Sequence, residues 1–229
     1  MSVNLAVRST ADELMDADDL DPAVYVAVVS DLARVNVVTL ASRPTLSFLR
    51  RAVGKRKRLR LLDVGFGDGD MLRSISRWAV HNGIDAELVG VDLNPRSEHA
   101  ARAHTPPDAP IRWVTGDYAD MGGGWDAIVS SLVAHHMTVP QLHAFLRFME
   151  ANARSWFVND LHRHAFAHRG YPLLATLARW HPIVRHDGRV SIARAFRPDE
   201  WRAILAEAEV EGASVRRVFP FRLCVERLR

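Results

Sequence analysis

Three glycines stand two residues apart in Leu62-Asp63-Val64-Gly65-Phe66-Gly67-Asp68-Gly69-Asp70. Glycines in such a turn let backbone N–H groups come close to a ligand, and the carboxylates among them set the charge it must carry. A dinucleotide fingerprint needs its third glycine where Asp70 stands, and the Asp68 carboxylate would repel a pyrophosphate. The turn therefore predicts a cofactor with a cationic head and disfavours a nicotinamide oxidoreductase. Two more acids recur downstream. Val89-Gly90-Val91-Asp92 ends an apolar run with a carboxylate 27 residues after Gly65, about where an acid reaches the hydroxyls of an adenosine ribose. Gly116-Asp117-Tyr118 ends the next run with an acid that can accept from an adenine amino group.

The histidines supply a second chemistry. Eight of the eleven lie between His135 and His186, and none precedes His81. His135 and His136 close one apolar run, and His162 and His164 the next. An imidazole titrates near 6.5 and suits the role of general base toward a phenol or enol. The ends of those runs put His136 and His162 first as bases, with His135 beside them, and leave His143, His168 and His181 to structural roles.

These residues need a scaffold that gathers the ends of successive runs, and the periodicity supplies one. Segments 59–64, 86–91, 111–114, 125–130 and 156–159 read as buried strands, and 71–80, 97–104 and 141–150 as helices between them. Strands alternating with helices in this way predict a parallel α/β sheet whose ligands bind beyond the carboxyl ends of the strands. Ahead of it, Asp21 is an N-cap with Pro22 at the first helical position, and Tyr25, Val28, Val29, Leu32 and Val35 recur at helical spacing. Val24, Val26, Val37 and Val38 predict burial of that helix on more than one side. A second helix over about 44–52 ends at Gly54. Residues 161–198 interrupt the alternation, and 199–211 then reads as a helix and 213–228 as two strands joined around Pro220.

Taken together, the turn and the strand-end acids resemble class I S-adenosylmethionine-dependent methyltransferases. The family's first motif matches 62–69, its ribose-binding acid Asp92, its adenine-side acid Asp117, and its fourth-strand motif the stretch from Trp125 to His136. The resemblance implies a Rossmann-like three-layer sandwich with a seven-stranded, mostly parallel sheet whose last strand is antiparallel. It further implies that Gly65, Gly67 and Gly69 face the methionine and ribose portions of S-adenosyl-L-methionine and that Asp63 and Asp68 lie near its ammonium and sulfonium. Asp92 would hold the ribose, Leu93 and Tyr118 would flank the adenine, Asp117 would bind its amino group, and Ser130 belongs to the same site. S-adenosyl-L-homocysteine would be the product. Residues 1–58 then form an N-terminal helical cap and 161–198 a lid, inserted in a core over 59–229, with the whole chain one folding unit. Asn159 and Asp160 resemble the magnesium ligands of catechol-type O-methyltransferases, but Ser130 and Ser131 stand where those enzymes need another acid, and one acid with one amide is thin for a hard cation. No metal is expected.

The acceptor follows from what the chain lacks and what its insertion offers. No Asn or Asp precedes a Pro-Pro-aromatic run near residue 130, which disfavours nucleobase amino groups. The insertion combines Phe166, Tyr171, Leu173, Leu174, Leu177 and Trp180 with polar tips, which suits a planar, partly hydrophobic ligand; the alternative is that the leucines and Trp180 are the buried side of a helix. It resembles small-molecule methyltransferases encoded beside bacterial polyketide synthases, which implies a phenolic or quinone-like natural product and transfer to a hydroxyl. C-methylation of a similar substrate, or a non-catalytic nucleotide-binding module of the same fold, are the alternatives.

The composition agrees. The 229 residues suit one core, and the net charge of +3 conceals an acidic middle, since residues 59–152 hold 7 basic and 12 acidic side chains. Of the 30 basic residues only Lys55 and Lys57 are lysines, and the run from Arg50 to Arg60 has no interleaved aromatics, so it reads as a solvated surface and not as a nucleic-acid groove. The lone Cys224 excludes a disulfide framework. Asp12 and Glu13 spoil any apolar leader, and no run of about 18 apolar residues occurs, so a cytoplasmic protein without a membrane partner is expected, as a monomer or a homodimer.

Overall fold

The structure is a computed structural model that describes residues 4–17 and 19–229. Its centre is a seven-stranded sheet in the order β3-β2-β1-β4-β5-β7-β6, built from β1 (Arg58–Val64), β2 (Asp85–Asp92), β3 (Ile111–Thr115), β4 (Trp125–Ser131), β5 (Ala153–Leu161), β6 (Ser214–Val218) and β7 (Arg222–Arg227). The first five strands pair in parallel and β7 runs antiparallel to both its neighbours. The expected sandwich is present. Ahead of β1 lie α1 (Pro22–Val38) and α2 (Ser42–Val53), and between the strands α3 (Asp70–His81), α4 (Pro95–Ala103), α5 (Val139–Asn152), α6 (Ala165–Leu177), α7 (Pro182–Arg194) and α8 (Pro198–Glu207).

Side chains alternate across the strands, and the alternation sorts two cores. Leu62, Ile128, Trp156 and Val158 face α5 and α8, where Leu142, Phe145, Trp201 and Ile204 are buried. Their odd-numbered neighbours Leu61, Val129 and Phe157 face α2 and α3, against Phe48, Leu49, Leu72 and Ile75. Phe48 and Phe157 stack with ring centroids 4.9 Å apart. Continuous apolar runs such as Arg58–Val64 therefore form strands because both faces are covered. The basic run before β1 is tied down by acids: Arg51 grips Glu226 with two hydrogen bonds of 2.9 and 2.6 Å, and Arg56 pairs with Asp126.

The N-terminal helices hold where local signals are strong. The Asp21 carboxylate caps α1 by accepting from the N–H of Ala23 and Val24. Val37 and Val38, however, are exposed at the end of α1, so its burial is one-sided. The insertion also departs from expectation. Residues 161–198 form two helices, and Phe166, Leu173, Leu174 and Leu177 point outward. α6 buries Ala167, His168 and Ala175, of which Ala175 packs with Val184 of α7, and the Tyr171 ring packs over Gly188, where an added Cβ would come within 2.1 Å of it. The close approach of α6 to α7 needs alanine and glycine at the seam and displaces the leucines to the surface. Among the described residues no single helix is long and apolar enough to cross a membrane.

Candidate active site

The carboxyl ends of β1 and β4 converge on a cavity, as an open parallel sheet requires. Its floor is Asp63, Gly65, Phe66, Gly67, Asp68 and Asp70, its roof comes from α1 (Tyr25, Val28, Val29, Leu32, Asn36) and α7 (Val184, Asp187, Ser191), and one end is closed by Glu13, His135 and His136.

Gly65, Gly67 and Gly69 all have positive φ, at 75°, 54° and 80°. Gly65 is also crowded, since a Cβ there would sit 2.3 Å from Val133 Cγ2. Gly69 backs onto Trp113, with 2.4 Å to the ring, and so packs the turn against β3 instead of facing the cavity. Gly65→Ala is expected to lower stability by about 1–3 kcal/mol, read as a shift of the denaturant midpoint at unchanged slope.

Asp63 is 1% exposed, and neither carboxylate oxygen has a hydrogen-bond partner. Burial, reinforced by the charges of Asp70 and Asp92, raises its pKa well above the carboxylate range. A buried acid without a donor costs free energy until a cation or donor meets it. Asp68 is different. It pairs with Arg73, and its Oδ1 lies 2.8 Å from His104 Nδ1, so its charge is already met from within the chain. Asp92 accepts the Gly67 and Asn94 N–H groups at 2.9 Å each, which ties the end of β2 to the glycine turn.

The structure disperses other predicted residues. Ser130 is buried and donates to the Val64 carbonyl at 2.9 Å, so its neighbour Ser131 lines the cavity instead. Leu93 is exposed beside a surface depression with Asp19, Pro22 and Arg96, which adjoins the cavity through Asp16. Asp117 is exposed and caps the Ala119 N–H at 2.9 Å. The Tyr118 ring lies edge-on to Phe145 and Phe148, centroids 4.9 and 5.0 Å away, and is committed to the α5 side.

The three histidines separate sharply. After β4 the chain turns through Leu132, in the left-handed region at φ 62°, and delivers His135 and His136 to the cavity. His135 is buried; its Nδ1 lies 2.7 Å from Asp160 Oδ1, its N–H donates to Asp160 Oδ2 at 2.8 Å, and its Nε2 lies 3.5 Å from Glu13 Oε1. Burial opposes its charge, but Asp160 and Glu13 overcome that and raise its pKa to about 9. Where no other cation sits beside Asp160 and Glu13, these carboxylates favour its protonated form, so it is a poor general base. His136 is half-buried, with Nε2 3.7 Å from Glu13 Oε1 and Nδ1 3.4 Å from Asp16 Oδ2. His162 lies elsewhere. Its N–H donates to the Phe221 carbonyl at 2.9 Å, which carries it toward the β6–β7 hairpin, into a separate depression with His164, Arg217 and Phe219. Burial and the arginines around it, Arg217, Arg197 and Arg163, lower its pKa to about 4. Asn159 turns the other way, donating to the Ala41 carbonyl at 2.8 Å and the Thr45 hydroxyl at 3.2 Å, so Asn159 and Asp160 do not face a common point as catechol-type ligands would.

Glu13 is the residue whose part the sequence conceals. It reaches the cavity because the Asp187 carboxylate of α7 accepts the Leu14 and Met15 N–H groups at 2.9 Å each, and the Ser191 hydroxyl donates to Glu13 Oε1 at 2.7 Å. Arg8 closes the arrangement by donating to the His135 and Met137 carbonyls at 2.6 and 2.8 Å.

Residues 61–154 match the model of a family described as a methyltransferase domain. Among solved structures, the plantazolicin methyltransferase BpumL, in complex with a monoazolic desmethylPZN analog and SAH, is similar at 14% identity with a TM-score of 0.62, covering 88% of this chain and 89% of that one. Human N-acetylserotonin methyltransferase in complex with SAM is similar at 15% identity and a TM-score of 0.63, over 90% of this chain and 56% of that one. Magnesium protoporphyrin IX methyltransferase from Synechocystis PCC 6803 with bound SAM gives 15% identity and a TM-score of 0.55, over 94% and 88%. At these identities the likeness is one of fold. No curated protein matches the chain in sequence. The matched segment carries the glycine turn and the ends of β2 and β4 on a sheet of this order, so residues 61–154 are similar to a methyltransferase domain.

Proposed function

We propose that this enzyme seats S-adenosylmethionine on the glycine turn and transfers its methyl group to a hydroxyl of a small, phenolic or quinone-like aromatic metabolite. The observation that carries the reading is Asp63: a buried carboxylate with both oxygens unpaired, lining the cavity beside Gly65 and Gly67, fits the cationic end of that cofactor. The cofactor supplies a methyl carbon activated by the sulfonium, and the protein's task is placement. Asp92 would take the ribose hydroxyls, and the adenine would extend toward the depression beside Leu93, with Asp117 for its amino group. Tyr25, Val28, Val29 and Leu32 give the opposite wall the apolar character that suits a planar acceptor. On this reading residues 1–58 act as the cap, and within 161–198 it is α7, not the α6 leucines, that forms the lid.

At the far end, His136 would take the proton of the acceptor hydroxyl, with Glu13 and Asp16 beside its ring nitrogens. Calorimetric titration tests the cofactor. S-adenosylhomocysteine should bind and NAD should not, and Asp92→Ala should weaken S-adenosylhomocysteine by about 10–100-fold, the worth of one hydrogen bond to a charged group. Absence of heat with S-adenosylhomocysteine would overturn the assignment. A panel of phenols and hydroxyquinones set against amines tests the acceptor, and methylation confined to the amines would exclude the hydroxyl reading.

A further inference from the structure

The Glu13, His135 and His136 side chains offer one ligand atom each, and all of these lie within 4.8 Å of one another. Glu13 Oε1 is 3.5 Å from His135 Nε2 and 3.7 Å from His136 Nε2. Two ligands each about 2.1 Å from a tetrahedral ion stand roughly 3.4 Å apart, so the two distances from Glu13 are those of a coordination shell. We infer that these three residues bind a divalent transition-metal ion of the zinc type, with its open position toward the acceptor end of the cavity.

Three further features support the site. First, the outer partners are in place. Asp160 holds Nδ1 of His135 and Asp16 lies beside Nδ1 of His136, leaving both Nε2 atoms toward Glu13, as carboxylate–histidine–metal arrangements require. Second, Glu13 is 5% exposed and is delivered from the opposite end of the chain by dedicated bonds, with the Asp187 carboxylate on its flanking backbone and the Ser191 hydroxyl on Oε1. Third, the Glu13, Asp16 and Asp160 carboxylates surround two imidazoles, and the guanidinium groups of Arg8 and Arg194 close by hydrogen-bond the backbone carbonyls of 135–137 and not these carboxylates. Two imidazoles with one carboxylate select a borderline ion over magnesium or calcium, which want oxygen. An ion held there would take the acceptor oxygen in its open position and lower the pKa of that hydroxyl, whose proton would pass to solvent water.

The site stands on these side chains whether or not the methyltransferase reading holds, and the experiment separates the two. The full chain, stripped with chelator, is titrated with Co²⁺ while visible absorption is followed, and in parallel with S-adenosylhomocysteine by calorimetry. One equivalent of Co²⁺ should bind with the intense bands of a four- or five-coordinate ion and be displaced by Zn²⁺. Glu13→Gln and the half-exposed His136→Asn should each weaken Co²⁺ by more than the roughly 10–100-fold that loss of an outer partner costs, while still binding S-adenosylhomocysteine, which certifies their fold. Binding of S-adenosylhomocysteine with no cobalt bands, or bands that survive both substitutions, overturns the metal site and leaves His136 as the base. Cobalt bands without S-adenosylhomocysteine binding keep the metal site and sink the cofactor reading.

Discussion

Asp160→Ala is expected to lower the stability of the chain by about 3–5 kcal/mol, the cost of leaving one partner of a buried ion pair uncompensated. The carboxylate is buried at the end of β5 and accepts three bonds: from the His135 N–H at 2.8 Å, from His135 Nδ1 at 2.7 Å, and from the Leu161 N–H at 2.7 Å. Removing it strands two backbone donors and a protonated imidazole between β4 and β5. The pairing also carries a pH signature in chelator-treated protein. The folded pKa of His135, about 9, lies above its ordinary 6.5, so the stabilisation is complete below about 6.5 and is lost as pH rises through 9. Asp160 is displaced the other way: burial opposes its charge but His135 outweighs it and lowers the pKa, so the acid limb lies below the usual carboxylate range. Urea unfolding from pH 6 to pH 9.5 should show a decline in the wild type that the variant lacks. A variant within 1 kcal/mol of wild type at pH 6 would mean that the pair contributes little.

What could be read from sequence divides by range. The glycine turn after β1, the acid at the end of β2 and the Asp21 cap are local: spacing and turn chemistry determine them within a few residues, though Gly69 backs onto Trp113 and not the cavity. The histidines are not local. His135 and His162 both follow apolar runs, and nothing in either run tells that the first meets Asp160 and Glu13 while the second is drawn away by the Phe221 carbonyl. Ser130 and Tyr118 fail for a related reason. Each sits at a strand end, but its side chain is claimed by the packed side, Ser130 by the Val64 carbonyl and Tyr118 by two phenylalanines. Glu13 is the extreme case. In sequence it is an acid that spoils an apolar leader, 122 residues from His135. Only the docking of its backbone on Asp187 reveals a ligand-forming carboxylate, and no periodicity encodes that contact. The α6 leucines mislead because periodicity reports an apolar stripe without saying that alanine and glycine hold the tighter seam.

His136→Ala should depress turnover by about 10²–10⁴-fold, the usual worth of a positioned general base, while S-adenosylhomocysteine affinity stays within about twofold. The geometry selects this histidine among the three. His135 is sealed and its carboxylate partners favour its protonated form, and His162 lies in a different depression. His136 alone lines the cavity half-buried, with a carboxylate near each ring nitrogen. An imidazole so placed is accessible to an acceptor, with Glu13 and Asp16 beside its two ring nitrogens. His162→Ala serves as the contrast and should retain near wild-type turnover, because its ring faces His164 and Arg217 beyond the end of β5. The loss in His136→Ala belongs in kcat, since a group that acts on the proton contributes in the transition state more than in acceptor binding. If the imidazole takes the proton itself, chelation leaves the wild-type rate unchanged. If it holds an ion that acidifies the hydroxyl, chelation should bring the wild type down to the rate of the variant, and added Zn²⁺ should restore the wild type alone. A His136→Ala enzyme that turns over at the wild-type rate would remove this end of the cavity from the reaction and send the search for the base back to the acceptor itself.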